Sequence, residues 1–446
     1  MKSLIRRPKH NNQIIIMYNI TVIGTGYVGL VTGACFAELG NKVICVDNDK
    51  EKINKLNSLI MPIYEPGLEE IVRRNAKKGR LSFSHSIKKA VSESLIVFIA
   101  VGTPPKEDGD ADLTAIEKVS QAIALNMNSY KLIVGKSTVP VETGRWIEHT
   151  IRINLKKGMS FDVASNPEFL REGTAINDFL NPDRIVIGVS SKKAKDLLLD
   201  LYKPIKAPKI VTDIKSAELI KHASNSFLAT KISYINAISK ICELSGADVL
   251  KVAEGMGLDA RIGRSFLDAG LGFGGFCLPK DLDAFIKISE KLGYDFKLLK
   301  IVREINEQQV LNFIKKIKSS VWNIKSKCVG ILGLSFKPNT DDLRFAPALK
   351  IIEKLKDEGA KIRVFDHQCI SKAKEILDNV YFAKDAYDAA KNCDCLLIIT
   401  EWNEFKELDF TKLKKVMQQP LIIDGRNLYD KEKLAKMGFT YIGIGR

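Results

Sequence analysis

Residues 19–29 read NITVIGTGYVG, a β-branched run that ends in glycine and passes into a helical pattern. A second apolar run at residues 42–46 completes the order strand, helix, strand. Gly24, Gly26 and Gly29 fall at the turn into the helix, where small residues let backbone N–H groups approach a phosphate. This stretch predicts a βαβ nucleotide-binding unit and decides the fold class.

Asp47 stands at the end of the second strand, about twenty residues after the glycine motif, where an acidic side chain can bind an adenosine ribose. Its charge would repel a 2′-phosphate, so the residue favours NAD over NADP. Lys52 lies one helical turn further on and could screen the charge of the cofactor, although a solvated lysine fits its position equally well. A glycine motif alone can be a tight turn, but strand, helix and acid in register predict a dinucleotide site.

The rest of the chain alternates in the same way on both sides of a helical middle. Further strand runs lie at residues 95–101, 131–136, 161–165, 184–189, 328–333, 361–366, 393–400 and 420–424. Regular alternation of strands and helices predicts parallel, doubly wound sheets. We therefore expect an α/β fold with two Rossmann-like doubly wound domains joined by a central helical domain, and 446 residues suffice for this.

Four segments follow from this pattern. Residues 1–16 precede Met17 and form either an extension that results from the choice of start codon or a disordered arm. Residues 17–212 form the expected NAD-binding Rossmann domain, 213–325 the central helical domain with a glycine-rich cysteine loop, and 326–446 a second Rossmann-like domain. Two nucleotide-shaped folds indicate two nucleotide ligands.

Composition excludes several classes of protein. Apolar content of 45%, charged content of 27% and no apolar run near the roughly 20 residues of a membrane helix indicate a globular protein without a membrane span. The eight cysteines include no CxxC pair, which is typical of reduced cytosolic thiols, and no export signal is present. The five histidines show no zinc spacing, so we expect no metal. The absent signals, together with the predicted need for NAD, indicate a cytoplasmic location.

The net charge of +16 indicates an anionic partner, which can be nucleic acid, an anionic membrane surface or a phosphorylated small molecule. The lysines are spread over predicted helix surfaces, as at residues 192–195 and 412–415, without the interleaved aromatic residues of nucleic-acid channels. We therefore expect neither nucleic acid nor a membrane as partner, and keep a nucleic-acid-binding protein as the remote alternative.

A second chemical motif, GFGGFCLPKD, occupies residues 272–281. Its glycines free the backbone for close approach of a ligand, and Cys277 is expected to be exposed. A cysteine thiolate can capture an aldehyde, because hydride loss from the thiohemiacetal gives a thioester that water hydrolyses. Lys280 is placed to lower the pKa of the thiol, and Asp281 to act as a base through water. The alternative is a buried cysteine that simply packs.

Glu218, Lys221 and Asn225 recur at helical spacing in the segment 217–233, AELIKHASNSFLATKIS. Lys221 and Asn225 share a helix face, so an ammonium and an amide could stabilise an oxyanion together. A solvent-exposed face is the plainer interpretation, and His222 is interpreted as a structural or surface histidine rather than a base.

Six motifs follow one another along the chain: GTGYVG at 24–29, NPEFLREGTAINDFLNPDR at 166–184, ELIKHASNSFLA at 218–229, DARIG at 259–263, FLDAGLGFGGFCLPKD at 266–281 and GLSFKPNTDDLR at 333–344. In this order they resemble the UDP-glucose/GDP-mannose dehydrogenase family, over residues 17–446. The sequence GFGGFC is similar to the branch that oxidises UDP-glucose, since branches for N-acetylated sugars carry GGHC. Two departures are Phe276, where many relatives have serine, and Asp268, where asparagine is frequent.

The resemblance implies two successive oxidations at C6 of UDP-glucose by two molecules of NAD, giving UDP-glucuronate without release of the aldehyde. Cys277 matches the nucleophile of the family. The other groups with an implied catalytic role hold the C6 oxygen or move protons through water: Lys221, Asn225, Asp281, Thr138 and Glu168. GDP-mannose is the alternative substrate, because GDP-mannose dehydrogenases share FGG, C, LPKD and TDDLR.

The resemblance also implies two binding sets. Thr103 and Thr138 follow strands, and by themselves they would be interpreted as turn or cap residues. The cofactor set is Gly24, Gly26, Tyr27, Val28, Gly29, Asp47, Lys52, Thr103, Thr138, Glu172, Lys280 and Arg344. The substrate set is Glu168, Phe169, Leu170, Lys221, Asn225, Arg261, Phe266, Leu267, Asp268, Ala269, Gly270, Gly274 and Lys337. Arg261 matches an arginine that reaches the substrate of a partner subunit, which implies a homodimer or a larger homo-oligomer.

Two further classes remain as alternatives. A two-electron hydroxyacid or acyl-CoA dehydrogenase shares a Rossmann domain and helices but needs neither Cys277 nor a second α/β domain, and would form one NADH per substrate. A non-catalytic nucleotide-binding protein would have no use for Cys277, Lys221 and Asp281, and salt-dependent binding of polynucleotides would indicate it.

Overall fold

The computed structural model describes residues 17–106 and 109–446, so the extension predicted at residues 1–16 lies outside the described residues. The chain folds into two α/β regions with a helical region between them. In the two described ranges, no helix combines the length and the apolar character that crossing a membrane requires.

The first α/β region contains an eight-stranded sheet. Its strands are β1 (Asn19–Ile23), β2 (Lys42–Val46), β3 (Leu81–Ser84), β4 (Ile96–Ile99), β5 (Lys131–Gly135), β6 (Phe161–Ser165), β7 (Ile185–Val189) and β8 (Lys209–Thr212). Its helices are α1 (Tyr27–Glu38), α2 (Lys50–Asn57), α3 (Leu68–Lys77), α4 (Ile87–Glu93), α5 (Thr114–Asn126), α6 (Thr143–Asn154), α7 (Ala175–Leu180) and α8 (Lys192–Leu201). The strand order is β3-β2-β1-β4-β5-β6-β7-β8.

This sheet departs from the predicted parallel arrangement at one end. Strands β1 to β6 are parallel, but β7 is antiparallel to β6, and β8 is parallel to β7. The expectation of a wholly parallel sheet is wrong for β7 and β8, because the connection through α7 does not cross the sheet. The strand order reverses between β1 and β4, where Rossmann folds bind their ligand beyond the carboxyl ends of the strands.

Aromatic packing fixes α1 on one face of this sheet. The Phe36 ring lies with its centroid 5.1 Å from that of Phe98, 5.0 Å from Phe179 and 5.4 Å from Tyr202. All four side chains are buried. Since such buried ring pairs stabilise by about 0.5–1.5 kcal/mol each beyond their area, α1 is held firmly with its N-terminus at the carboxyl edge of the sheet.

The central region is helical, as predicted. Its helices are α9 (Ile214–Ser245), α10 (Val249–Gly257), α11 (Cys277–Lys291) and α12 (Lys297–Ser320). The longest, α9, begins after Asp213, whose carboxylate accepts a hydrogen bond from the Ser216 N–H at 2.9 Å, and ends before Gly246, which has a φ of 78°. It packs against β7 of the first sheet and against α11 and α12. Near its end, Glu243 accepts a hydrogen bond from the Gly445 N–H at 3.0 Å, so α9 connects both α/β regions.

The second α/β region contains a six-stranded parallel sheet. Its strands are β9 (Cys328–Leu332), β10 (Lys361–Phe365), β11 (Tyr381–Phe382), β12 (Cys395–Ile398), β13 (Leu421–Asp424) and β14 (Thr440–Ile442). Its helices are α13 (Pro347–Asp357), α14 (Ile370–Ile376), α15 (Ala386–Ala390), α16 (Asn403–Lys406), α17 (Phe410–Val416) and α18 (Lys431–Lys436). The order β11-β10-β9-β12-β13-β14 repeats that of the first six strands of the first sheet, which confirms the predicted fold class.

Candidate active site

The turn between β1 and α1 is shaped by its glycines. Gly24 has a φ of 102°, and a Cβ there would lie 2.5 Å from the carbonyl oxygen of Ala100. A Cβ on Gly29 would lie 1.8 Å from the carbonyl oxygen of Gly24. A Cβ on Gly26 would meet no atom within 4 Å, and no side chain caps the N-terminus of α1. Within the described ranges, the first N–H groups of α1 thus face open space, as a bound pyrophosphate requires.

Two alanine substitutions in this turn are expected to have different effects. Gly26→Ala keeps an ordinary φ of −70° and has room for its methyl group, so it should leave the fold intact but raise KM for NAD by about tenfold or more, because the methyl group occupies the pyrophosphate space. Gly29→Ala should lower the unfolding temperature by several degrees, since its methyl group cannot fit. Steady-state kinetics measures KM for NAD, and thermal unfolding measures the stability of each variant. An unchanged KM in Gly26→Ala would contradict the prediction that this turn binds the pyrophosphate.

Asp47 follows β2 beside this turn. Its carboxylate accepts hydrogen bonds from the Thr25 N–H and hydroxyl at 2.8 and 2.7 Å and from the Asp49 N–H at 3.1 Å. Lys52 Nζ lies 3.3 Å from the same carboxylate. Burial alone would raise the pKa of Asp47, but these hydrogen bonds and Lys52 hold it below its ordinary value. A fixed anion therefore stands where the ribose-binding acid was predicted.

Four further residues of the predicted cofactor set lie around the same edge. The half-buried Tyr27 and Val28 form the first turn of α1, and the Tyr27 hydroxyl accepts a hydrogen bond from the Gly173 N–H at 3.0 Å. The Thr103 hydroxyl donates to the carbonyl oxygen of Thr138 at 2.9 Å, which joins the loops after β4 and β5. The structure thus brings these loops together at the carboxyl edge.

Lys221 and Glu168 form a buried ion pair. Lys221 Nζ lies 3.1 Å from Glu168 Oε1, and the two side chains are 4% and 5% exposed. The other Glu168 oxygen accepts a hydrogen bond from the Leu170 N–H at 2.6 Å, and the Phe169 ring centre lies 5.3 Å from Lys221 Nζ. Burial alone would lower the pKa of Lys221, but Glu168 and the other acidic groups nearby raise it above its ordinary value. Lys221 is therefore an ammonium, and the interpretation of its helix face as solvent-exposed is wrong.

Asn225 and Asp281 meet one turn further along α9. Asn225 Nδ2 donates to Asp281 Oδ2 at 2.6 Å, and Lys280 Nζ lies 2.6 Å from Asp281 Oδ1. Burial alone would raise the pKa of Asp281, but Lys280, Lys221 and His222 hold it below its ordinary value. The carboxylate is therefore ionised and able to accept a proton.

Cys277 is the first residue of α11, a helix without a side-chain cap, and it is exposed as predicted. Although the residue reaches solvent, dense surrounding protein desolvates its thiol. This desolvation, with the carboxylates of Glu168 and Asp281, raises the pKa of Cys277 to about 12 against the opposing charge of Lys221. The expectation of a lowered thiol pKa is wrong, because burial and the two carboxylates outweigh the nearby positive charge, and the Lys280 ammonium pairs with Asp281. The thiol is protonated at neutral pH, so aldehyde capture requires transfer of its proton.

Glu172, Arg344 and Lys337 lie between the first sheet and the C-terminal region. The Thr340 hydroxyl donates to Glu172 Oε2 at 3.0 Å, and Arg344 Nη2 lies 3.7 Å from Glu172 Oε1. Burial and the neighbouring Asp342 raise the pKa of Glu172 to about 7. Burial also lowers the pKa of Lys337. Residues predicted for the cofactor and for the sugar nucleotide thus meet between the two α/β regions.

The loop between α10 and α11 packs against the C-terminal region. The Gly270 N–H donates to Asn236 Oδ1 at 2.8 Å, and its carbonyl oxygen accepts from Gln309 Nε2 at 2.8 Å. A Cβ on Gly274 would lie 2.4 Å from the carbonyl oxygen of Phe345. Of the other substrate residues predicted in this loop, Leu267 and Ala269 are buried. Phe266 is half-buried and Asp268 is exposed. The loop that leads to Cys277 is therefore held closely by its neighbours.

These groups form a coherent chemical set at the carboxyl edge of the first sheet. An open helix N-terminus with a fixed acid can hold a dinucleotide, a buried ammonium can stabilise an oxyanion, and a thiol can capture an aldehyde. The part of the chain that the structure describes contains no group of three side chains suited to hold a metal ion.

Comparison with known proteins agrees with this layout. Residues 18–206, 215–308 and 330–431 match the NAD binding domain, the central domain and the UDP binding domain of the UDP-glucose/GDP-mannose dehydrogenase family. The chain belongs to this family. It is 49% identical over 431 residues to the UDP-glucose 6-dehydrogenase TuaD of Bacillus subtilis, an alignment that covers 96% of this chain and 94% of that protein.

Two solved structures of dehydrogenases are similar along the whole chain. A UDP-glucose dehydrogenase from Pyrobaculum islandicum superposes with a TM-score of 0.90 at 38% identity, covering 99% of this chain and 100% of that chain. A UDP-D-ManNAc dehydrogenase from Pyrococcus horikoshii superposes with a TM-score of 0.84 at 28% identity, covering 96% and 99%. Within the family, the overall fold is thus shared by enzymes that act on different sugars.

One predicted substrate residue of this dehydrogenase lies apart from the cluster. The Arg261 side chain is 89% exposed, and its guanidinium pairs with Asp259 at 2.7 Å. Its exposure leaves it available to a neighbouring molecule.

Two buried groups of this dehydrogenase had no role in the sequence prediction. Glu218 accepts hydrogen bonds from the Glu142 and Gly144 N–H groups at 2.8 and 2.7 Å, so it caps α6 from α9. Lys136 directly follows β5 and donates to Asn166 Oδ1 at 3.0 Å. Burial lowers the pKa of Lys136 to about 8. A lysine at the end of a buried strand was the available signal for Lys136, whereas Glu218 offered none beyond its helical spacing.

His222, one turn after Glu218 on α9, contacts the loop between β5 and α6. Its Nε2 lies 2.8 Å from the carbonyl oxygen of Val139, the residue after Thr138, and its side chain is 1% exposed. The structural interpretation of His222 is therefore confirmed, and the surface alternative is wrong. Together with Glu218, His222 fixes the Thr138 loop to the helix that carries Lys221 and Asn225.

Glu218→Gln is expected to flatten the pH dependence of stability. Burial raises the pKa of Glu218 from 4.5 to about 7, although its backbone hydrogen bonds oppose this. Because the folded pKa exceeds the unfolded one, the carboxyl destabilises the fold as pH rises from about 4.5 to about 7, by on the order of 3 kcal/mol. Glutamine does not titrate, so the fall in unfolding free energy over this window should be smaller in the variant. Denaturant unfolding at several pH values checks this, with the exposed Glu148→Gln as control.

Proposed function

We propose that this protein oxidises C6 of UDP-glucose to a carboxylate, forming UDP-glucuronate with two molecules of NAD per sugar. The observation that carries the proposal is the exposed thiol of Cys277 within the electrostatic reach of Lys221, Glu168 and Asp281. Oxidation of an alcohol to an aldehyde needs no thiol, whereas a thiol can hold the aldehyde as a thiohemiacetal and carry it into the second oxidation. The 49% identity to TuaD supports UDP-glucose as the substrate.

The three regions divide the work in this proposal. Residues 17–212 bind NAD and also contribute Thr138 and Glu168, 213–325 carry Cys277 and most of the other reacting groups, and 326–446 bind the uridine nucleotide. The turn at Gly26 would hold the pyrophosphate of NAD, and Asp47 its adenosine ribose. When bound, NAD accepts the hydride that leaves C6 in each oxidation. The need for NAD favours the cytoplasm as the place of action.

In the first oxidation, the C6 hydroxyl loses its proton while C6 loses a hydride. Lys221 and Asn225 would hold the C6 oxygen, and the Lys221 ammonium would stabilise its developing negative charge. Asp281 is ionised and would accept the proton through a water that Thr138 helps to orient. The product of this step is an aldehyde that stays at the site.

In the second oxidation, a bond forms between Cys277 Sγ and C6 of the aldehyde. The thiol proton would pass to a base, a role that we assign to the ionised Asp281, and the carbonyl oxygen would become an oxyanion stabilised by Lys221. Loss of the second hydride converts this adduct into a thioester. Water then breaks the bond between sulfur and C6, which releases the carboxylate and restores the thiol. Glu168 would position that water while it keeps Lys221 charged.

A substrate panel tests the assignment directly. UDP-glucose, GDP-mannose and UDP-N-acetylglucosamine are each offered with NAD and with NADP, and NAD(P)H formation is followed. We expect turnover with UDP-glucose and NAD. Turnover with only another sugar would overturn the named substrate and leave the chemistry in place, whereas a preference for NADP would contradict the role of Asp47.

We further propose a homodimer with shared sites. Large apolar side chains lie exposed at heptad spacing along α9, with Phe227 65%, Tyr234 51% and Ile241 60% exposed. A second copy of the chain is a fitting cover for this stripe, because such a row of apolar residues is typical of a helix that packs against another. Arg261, which is 89% exposed, would then reach the substrate bound by the partner.

Light scattering and a mixing experiment test the dimer. Phe227→Glu should yield a monomer, whereas the control Trp322→Ser, at a residue 100% exposed elsewhere, should not. If sites are shared, the inactive variants Arg261→Ala and Cys277→Ser should together regain about a quarter of wild-type activity after subunit exchange. No recovery from variants that do exchange subunits would contradict the shared site.

A further inference from the structure

A pair of cysteines lies at the edge of the second sheet opposite its carboxyl ends. Cys328 is the first residue of β9, and Cys393 lies two residues before β12, the neighbouring strand. Their Sγ atoms are 2.9 Å apart. The Asp394 N–H donates to the carbonyl oxygen of Cys328 at 2.8 Å, so paired strands hold the two thiols in register.

The two thiols have different surroundings. Cys328 is half-buried, whereas Cys393 is fully buried and its Sγ also lies 3.2 Å from the carbonyl oxygen of Ala389. The hydrogen bond from Cys393 holds the pKa of Cys328 below its ordinary value, with help from Arg363 and against the effect of burial. The more accessible sulfur is therefore also the more acidic one, as in pairs that exchange with disulfides.

We propose that Cys328 and Cys393 are a thiol–disulfide exchange site, separate from Cys277, that closes reversibly into an intrachain disulfide. The oxidant is a small disulfide of the glutathione class. The Cys328 thiolate attacks one sulfur, forming a mixed disulfide and releasing one small thiolate. That thiolate takes the proton of Cys393, whose sulfur attacks Cys328 Sγ and expels the second small thiolate. Two protein thiols are oxidised, and one small disulfide is reduced to two thiols.

The location predicts what the bond does. It ties β9 to the start of β12 and encloses β10 and β11, so it restricts the unfolded C-terminal region and stabilises the folded one. Rossmann-like sheets bind nucleotides at the carboxyl ends of their strands. The Cys328–Cys393 bond would lie at the opposite ends of the strands. Turnover should therefore change less than twofold on oxidation. Disulfide exchange at Cys328 and Cys393 is independent of the reaction proposed at Cys277.

Peptide mass spectrometry of the full chain tests the proposal. After incubation with oxidised glutathione and alkylation, we expect a Cys328–Cys393 crosslink, two fewer alkylated thiols, and an unfolding temperature raised by at least about 3 °C, all reversed by dithiothreitol. Cys328→Ser and Cys393→Ser should each abolish the crosslink and the shift, whereas Cys395→Ser, a buried neighbour, should keep both. Glutathione attached stably to Cys328, or both thiols still free after oxidation, would overturn the proposal.

Discussion

Cys277→Ser is expected to lower the rate of uronate formation by at least about 10³-fold, because a serine hydroxyl does not capture the aldehyde as a thiolate does. The fold should be unchanged, since the residue is exposed and the two side chains are nearly isosteric. The first oxidation does not use the thiol, so any residual turnover should stop near one NADH per sugar and accumulate aldehyde. NADH formation and trapping of the aldehyde with a hydrazine measure both effects.

A cysteine-to-serine control at another position separates the loss of the catalytic thiol from a general loss of stability. Cys242→Ser alters a buried thiol on α9, which is 2% exposed, and should retain nearly all activity, with at most a modest loss of stability. Uronate formation by Cys277→Ser at more than a tenth of the wild-type rate would contradict the role of the thiol.

Lys221→Met is expected to affect both catalysis and stability. Removal of the ammonium should lower kcat by about 10²–10³-fold, because the charge that would stabilise the developing oxyanion is lost. It should also lower the free energy of unfolding by about 3–5 kcal/mol, since Glu168 is left as a buried carboxylate without its partner. Urea unfolding and steady-state kinetics measure the two effects, and Lys240→Met, at an exposed position of α9, serves as control.

A double variant distinguishes a catalytic from a structural role of this lysine. Lys221→Met with Glu168→Gln removes both charges of the buried pair and should recover much of the lost stability. Its kcat should stay low, because the charge that stabilises the oxyanion is still missing. Recovery of kcat together with stability would show that Lys221 acts only by holding the fold.

Local signals were sufficient for the parts of the fold that depend on neighbouring residues. The glycine turn at residues 24–29 and the acid at Asp47 follow from one βαβ unit, so their places could be predicted. The antiparallel direction of β7 could not, because the connection of residues 166–184, which contains α7, is long enough for either direction. Strands as short as β11 and β14, with two and three residues, carry too little pattern to be recognised.

Side-chain partners in the site were harder to predict, because they depend on contacts between residues that are far apart in the sequence. The Glu218 carboxylate caps α6, which lies far earlier in the chain, and no local spacing encodes such a contact. The sequence places Lys280 three residues after Cys277 on one helix, a spacing that favours contact between them, but the Lys280 ammonium lies 2.6 Å from the carboxylate of Asp281. The pKa of Cys277 therefore follows from burial and carboxylates that only the folded chain assembles.

The most direct test of the proposed function is the number of NADH molecules formed per molecule of UDP-glucose. With the sugar nucleotide limiting and NAD in excess, the reaction is run to completion and NADH is read by absorbance. The proposed capture of the aldehyde by Cys277 predicts two NADH per UDP-glucose and no free aldehyde. One NADH per sugar, with the aldehyde released as product, would contradict it.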